Sequence, residues 1–169
     1  MADDGAGGLR PLDDFMPAYE FSERHAITIG AEAGDVDLAL RGVTFGEVPL
    51  MRLLLLVRGV GRPAPDETVL GAISRRARTL ADVPGEGIVL ALGGRFWRVR
   101  GGHGDEPPAT AVIDFRFGGG RLTTETRVHV DDPASRRRFA RYWRVIRPFS
   151  ALTRILVLRA AKRRAEVSA

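Results

Sequence analysis

The chain has no cysteine among its 169 residues. That absence removes disulfides, thiolate metal sites and cysteine nucleophiles, and it fits a reducing compartment. Long apolar runs are missing too. The longest, Leu53 to Val57 within VPLMRLLLLVRG, falls far short of the ~20 residues that cross a bilayer. The opening MADDGAGGLRPLDD is acidic and glycine-rich, the opposite of a basic-then-apolar export signal, so a cytoplasmic location is expected. Histidine is scarce. His25, His103 and His129 lie too far apart in sequence to suggest a metal site. The glycine clusters GGRFWRVRGG and FGGGR read as turns between strands, not as strand-to-helix phosphate cradles. No metal and no cofactor is expected.

What is present is ordinary globular composition, 44% hydrophobic and 28% charged, enough for one core and short for two. Residues 1–12 read as a flexible tail, and 13–169 as a single domain. The charge is unevenly placed. From Pro133 onward there are ten Arg and one Lys against one Glu, while the rest holds fifteen Arg against twenty acids. A basic end on an acidic body can mark an anionic partner, or the solvated face of an amphipathic helix. Phosphate recognition needs more than charge, so a nucleic-acid partner is not expected.

Periodicity then sets the elements. Phe15, Tyr19 and Phe21 punctuate an acidic lead-in that aromatics pin to the body. HAITIG alternates as a strand, with Ile27 and Ile29 on one side. Two short helices follow. Val36, Leu40 and Val43 share a face of the first, and Pro49 opens the second, which is apolar nearly all round and is expected to cover something apolar. A further short helix is expected in TVLGAISRRA. RTLADV, GIVLAL and RFWRVR read as consecutive strands. TAVIDFRF and RLTTETRVHV flank Gly118, Gly119 and Gly120 as a hairpin, with Ile113 and Phe115 on one side and Asp114 and Arg116 on the other. Asp132 and Pro133 start a helix that runs to about Glu166, kinked at Pro148. Phe139, Tyr142, Trp143, Ile146 and Phe149 form its apolar stripe, and Arg136, Arg137, Arg141, Arg144 and Arg147 are placed opposite.

The order strand, two helices, antiparallel strands and one long helix predicts an α+β helix-grip fold. A curved sheet of about six strands would wrap around the C-terminal helix. ERHAITI, GRFWR, TTETRV and above all RFARYWRVIRPFS resemble bacterial members of the SRPBCC (START-like, polyketide-cyclase-like) superfamily, from about Phe15 to Glu166. The resemblance implies an apolar cavity between sheet and helix. It carries over no catalytic residue, since members bind lipids and sterols or cyclise polyketides without a shared catalytic motif.

The candidates to line that cavity are Trp97, Ile113, Phe115, Thr124, Thr126, Tyr142, Trp143 and Ile146. Aromatics offer area with one polar handle, and hydroxyls among apolar neighbours suit a pocket wall better than a dry core. Asp114, Arg116, Glu125 and Arg127 should cluster across two strands on the outer, wet face, where ion pairs contribute little. No ionisable group stands out inside the cavity. The leading expectation is therefore binding of a small hydrophobic molecule such as a lipid, isoprenoid or polyketide-like compound. The alternatives are a cyclase or dehydratase-type enzyme in the same cavity, and an interaction protein docking a basic strip of Arg137, Arg141 and Arg144 on an anionic membrane or partner.

Overall fold

Alternating side chains draw five segments into one antiparallel sheet in the computed structural model of the protein. The structure describes residues 8–57, 59, 61–94 and 109–168. The strands are β1 (Phe21–Thr28), β2 (Arg78–Val83), β3 (Gly87–Gly94), β4 (Ala109–Gly118) and β5 (Arg121–His129), in spatial order β1-β5-β4-β3-β2. Helices α1 (Ala33–Gly42), α2 (Pro49–Val57) and α3 (Val69–Ser74) lie between β1 and β2, and α4 (Pro133–Ser168) follows β5. This is the helix-grip arrangement that the order of elements predicts. RFWRVR, expected as a further strand, lies outside the described residues, so five strands are seen where about six are expected.

Local chemistry accounts for the junctions. The β4–β5 hairpin turns on Gly119 and Gly120, whose φ values of +58° and +70° suit the two-residue turn that matches strand twist. Asp132 caps α4, its Oδ2 accepting from the Ser135 N–H at 2.6 Å. The helix then continues for 36 residues through Pro148. β1 starts at Phe21, earlier than the strand read from His25, and this shift matters for the site below.

The helix-facing side of the sheet carries two apolar clusters. The larger joins Ile88, Leu90, Ile113, Phe115 and Leu122 to Val36 and Leu40 of α1 and to the C-terminal half of α4. There, buried Ala160, Ala161 and Ala165 let α4 approach α1 closely. The smaller joins Ala111, Val128, Val130 and Phe139, with Phe21, Tyr142 and Trp143 half-buried against it. Phe139 is its centre, its ring centroid 4.8 Å from that of Phe21 and 5.8 Å from that of Trp143.

The opposite side of the sheet is covered in part, over β3 and β4. Leu12 and Met16 of the N-terminal segment are buried on Val89 and Val112. The Arg116 guanidinium donates to the Leu9 and Arg10 carbonyls, and Arg127 donates to Asp13 and to the Met16 carbonyl. A flexible tail reaching residue 12 is therefore corrected: residues 8–12 belong to a strap across the sheet, anchored by apolar side chains. The strap also corrects the expectation of a wet charged face. Asp114, Arg116, Glu125 and Arg127 do cluster there, on the side away from α4, but Asp114 and Arg127 are only 3% and 7% exposed.

Candidate functional site

The register of β1 against β5 builds the site. Phe21, Glu23, His25 and Ile27 lie opposite Val128, Thr126, Thr124 and Leu122. Since side chains alternate across a strand, all eight share the helix-facing side. Phe21 and Val128 belong to the smaller apolar cluster, and Ile27 and Leu122 to the larger. Between them runs a polar belt of Glu23, His25, Thr124 and Thr126. Glu23, Thr124 and Thr126 are buried, and His25 is half-buried.

The helix adds a cation to this belt. Arg154 lies on α4 between Trp143 and Val157, at spacings that carry the gripping face of the helix. Its Nη1 donates to Thr124 Oγ1 at 2.9 Å, and the Thr124 hydroxyl donates in turn to the Asp114 carbonyl at 2.7 Å. The guanidinium carbon is 5.9 Å from the centre of the Phe115 ring. Burial pushes the Arg154 pKa down to about 10, while Glu23 and Asp114 act through space to keep it charged.

The acidic side of the belt is incompletely satisfied. His25 Nε2 is 3.3 Å from Glu23 Oε1 but not in line for a hydrogen bond, and Arg147 Nε stands 3.9 Å from the same oxygen. Glu23 Oε2 and His25 Nε2 are both buried without a hydrogen-bond partner. Buried polar atoms of this kind cost about 1–3 kcal/mol each when nothing pairs with them. The belt thus offers an acceptor, a histidine nitrogen and a cation, held between two apolar walls.

The structure divides the residues expected to line a cavity. Thr124 and Thr126 are in the belt. Ile113 and Phe115 are buried in the larger cluster, and Tyr142 and Trp143 lie in the smaller. Ile146 is half-buried on α4. Trp97 lies outside the described residues, as does His103. Arg137, Arg141 and Arg144 are exposed. Arg136 and Arg147, expected beside them, turn towards the sheet instead: Arg136 donates to the Val130 carbonyl and pairs with Glu20. Arg147 and Arg136 are about two and five helical turns from Arg154 on the same side, so a single basic face is corrected to two.

The expectation that no ionisable group faces the helix is also corrected, by Glu23, His25 and Arg154. The signal was within reach. Carrying the alternation of Ile27 back by twos leads to His25, Glu23 and Phe21, and carrying the stripe of Trp143 forward leads to Ser150, Arg154 and Val157. Two hollows among the described residues lie elsewhere. One of about 200 Å³ is lined by Phe45, Leu55, Arg62, Glu67 and Ala72. A shallower one of about 700 Å³ is rimmed by Arg24, Arg116 and Arg121 at the hairpin end of the sheet.

No protein-family model matches the chain, and no curated protein matches it. Among solved structures, the chain is similar to the di-domain ARO/CYC BexL from the BE-7585A biosynthetic pathway, at 16% sequence identity and a TM-score of 0.42. The similarity covers 86% of this chain and 50% of that one, so the chain spans half the length of the protein it matches.

Proposed function

We propose that the space between the sheet and α4 binds a small, mostly apolar molecule carrying a hydroxyl and a carbonyl-type oxygen. We also infer membership of the SRPBCC superfamily, on the sequence stretches quoted above and the order of elements. One observation carries the ligand reading: Glu23 Oε2 and His25 Nε2 are buried without hydrogen-bond partners, beside a Thr124 and an Arg154 that are hydrogen-bonded to each other. An acceptor such as Glu23 wants a donor, and Arg154 has further N–H groups to give. A hydroxyl against Glu23 with a carbonyl against Arg154 meets both needs, while the apolar clusters on either side take the hydrocarbon body. A bare hydrocarbon would leave the belt unpaired, and a free carboxylate would meet Glu23 as a like charge.

The test is native mass spectrometry of the full chain purified from its own host, followed by extraction and analysis of anything that co-purifies. A bound molecule of a few hundred daltons with at least one hydroxyl supports the reading, provided that Glu23→Gln and Arg154→Met each weaken its rebinding. A bound molecule that rebinds equally well to both variants sinks it.

The histidine favours a second, enzymatic reading of the same site. His25, placed beside the Glu23 carboxylate, would take a proton from the carbon next to the ligand carbonyl, and Arg154 would hold the enolate oxygen that results. Cyclisation or loss of water could follow from such an enolate. His25→Gln separates the two: it abolishes turnover of a keto-hydroxy substrate while leaving its binding nearly intact if the site is catalytic.

A further inference from the structure

The outer surface of two neighbouring helices is apolar where water should favour polar groups. On α2, Leu50, Leu53, Leu56 and Val57 are exposed, Leu53 by 54% and Val57 by 78%. The opposite side of α2 packs Met51 and Leu55 into the larger core cluster, so the helix is anchored and its outer face is bare. On α4, Val145, Phe149 and Leu152 recur at spacings of three and four and are exposed as well. One turn further on, Leu156 packs into the same cluster as Leu55, and α2 contacts α4, so the two apolar faces adjoin. Single exposed apolar residues need no explanation, but a patch spread over two helices does.

The rim of the patch decides between occupants. Arg137, Arg141 and Arg144 are exposed on the outward side of α4, next to the face of Val145 and Leu152. Arg141 and Arg144 make no hydrogen bond or ion pair with any described residue. No acidic residue occurs from Pro133 to Ala165 to neutralise them. A second copy pairing through this patch about a two-fold axis would bring arginine rows towards arginine rows. Nucleic acid would use the arginines and leave the leucines in water. Among the described residues no helix is long and apolar enough to cross a membrane, so the face could only lie on one. An anionic bilayer uses both features, since leucine and phenylalanine enter the boundary of headgroups and acyl chains while guanidinium groups meet lipid phosphates. The geometry points to the face formed by α2 and the N-terminal half of α4 as a docking surface for anionic phospholipid bilayers.

Sedimentation of the full chain with extruded vesicles tests this. Vesicles of mixed phosphatidylglycerol and phosphatidylcholine pull the protein down at low salt, and the bound fraction falls at physiological salt. Vesicles of phosphatidylcholine alone bind it far less. Arg141→Gln with Arg144→Gln lowers the partition coefficient about fivefold for each arginine. Leu53→Asp lowers it at least about tenfold on the same vesicles. All these side chains are exposed, so circular dichroism and the unfolding midpoint stay unchanged. No sedimentation with anionic vesicles at low salt overturns the proposal. So does equal binding of the arginine variant, or light scattering that shows a dimer which Leu53→Asp converts to monomer.

Discussion

Arg154 of α4 donates to Thr124 of β5 at 2.9 Å, a bond between a helix and a strand that lie 30 residues apart. It places a positive charge inside the grip of the helix, facing the Glu23 carboxylate on the next strand. Folded proteins rarely hide charges without partners, and those that do so commonly use them.

Glu23 and Arg154 should be energetically coupled without touching. In a double-mutant cycle of Glu23→Gln and Arg154→Met, each single change leaves the other charge, buried Glu23 or half-buried Arg154, without its counter-charge and lowers stability. The double variant is expected to recover at least about 1 kcal/mol relative to the sum of the two. Denaturant titration of the four proteins measures it, and strict additivity would mean that the charges are solvated independently. The same double variant should lose affinity for any hydroxylated ligand, separating stability from binding.

The N-terminal strap should be structural. Removing residues 1–16 strips Leu12 and Met16 from Val89 and Val112, and each such side chain contributes about 1.5–3 kcal/mol when buried. It also frees Arg127, which donates to Asp13 at 2.7 Å and lies 4.5 Å over the Tyr19 ring. The truncated chain is expected to lose about 3–5 kcal/mol by denaturant titration. A loss below about 1 kcal/mol would show that the strap adds little.

Gly87 tolerates no side chain. Its φ is +141°, and an added Cβ would stand 2.0 Å from the Phe115 carbonyl oxygen across the β3–β4 pairing. Gly87→Ala should therefore cost about 3 kcal/mol or more, through disturbed strand pairing as well as backbone strain. By contrast, Gly93→Ala meets nothing within 4 Å and should change the midpoint little. Thermal unfolding of the pair tests both statements together.

A pH dependence follows from Glu47, which ties the start of α2 to the end of α4. Burial would raise its pKa, but the Thr44 N–H and the Arg164 guanidinium, both at 2.8–2.9 Å, outweigh burial and hold it below the ordinary 4.5. A carboxylate depressed in the folded state stabilises the fold above its unfolded value, and the contribution disappears as pH falls through the folded one. Glu47→Gln is thus expected to lose about 1 kcal/mol at pH 7. The difference should shrink steadily once pH drops below 4.5. A constant difference from pH 7 to 3 would assign the loss to shape rather than charge.

Much of the fold was legible in the chain because it is encoded at short range. Alternation in TAVIDFRF and RLTTETRVHV, paired glycines between them, and the cap at Asp132 each report on neighbours a few residues away. So does the long helix, whose stripe placed Phe139 in the core and left Arg137, Arg141 and Arg144 in water. The charged group Asp114, Arg116, Glu125 and Arg127 was readable as a cross-strand cluster on the side away from the helix, for the same reason.

What tertiary structure decided was the meeting of distant segments. Local pattern says that Glu23 and His25 share a side with Ile27, yet only the pairing of β1 with β5 and the laying of α4 across them turns that side into an interior holding Arg154. The strap is the same case. Nothing near Leu12 in sequence shows that it will cover Val112, so on a face that alternation marks as polar Asp114 and Arg127 are buried. Burial depends on what comes to lie above a residue. That is set by the whole packing of the chain, and it is why Glu23, His25 and Arg154, each readable on its own face, are brought together only in three dimensions.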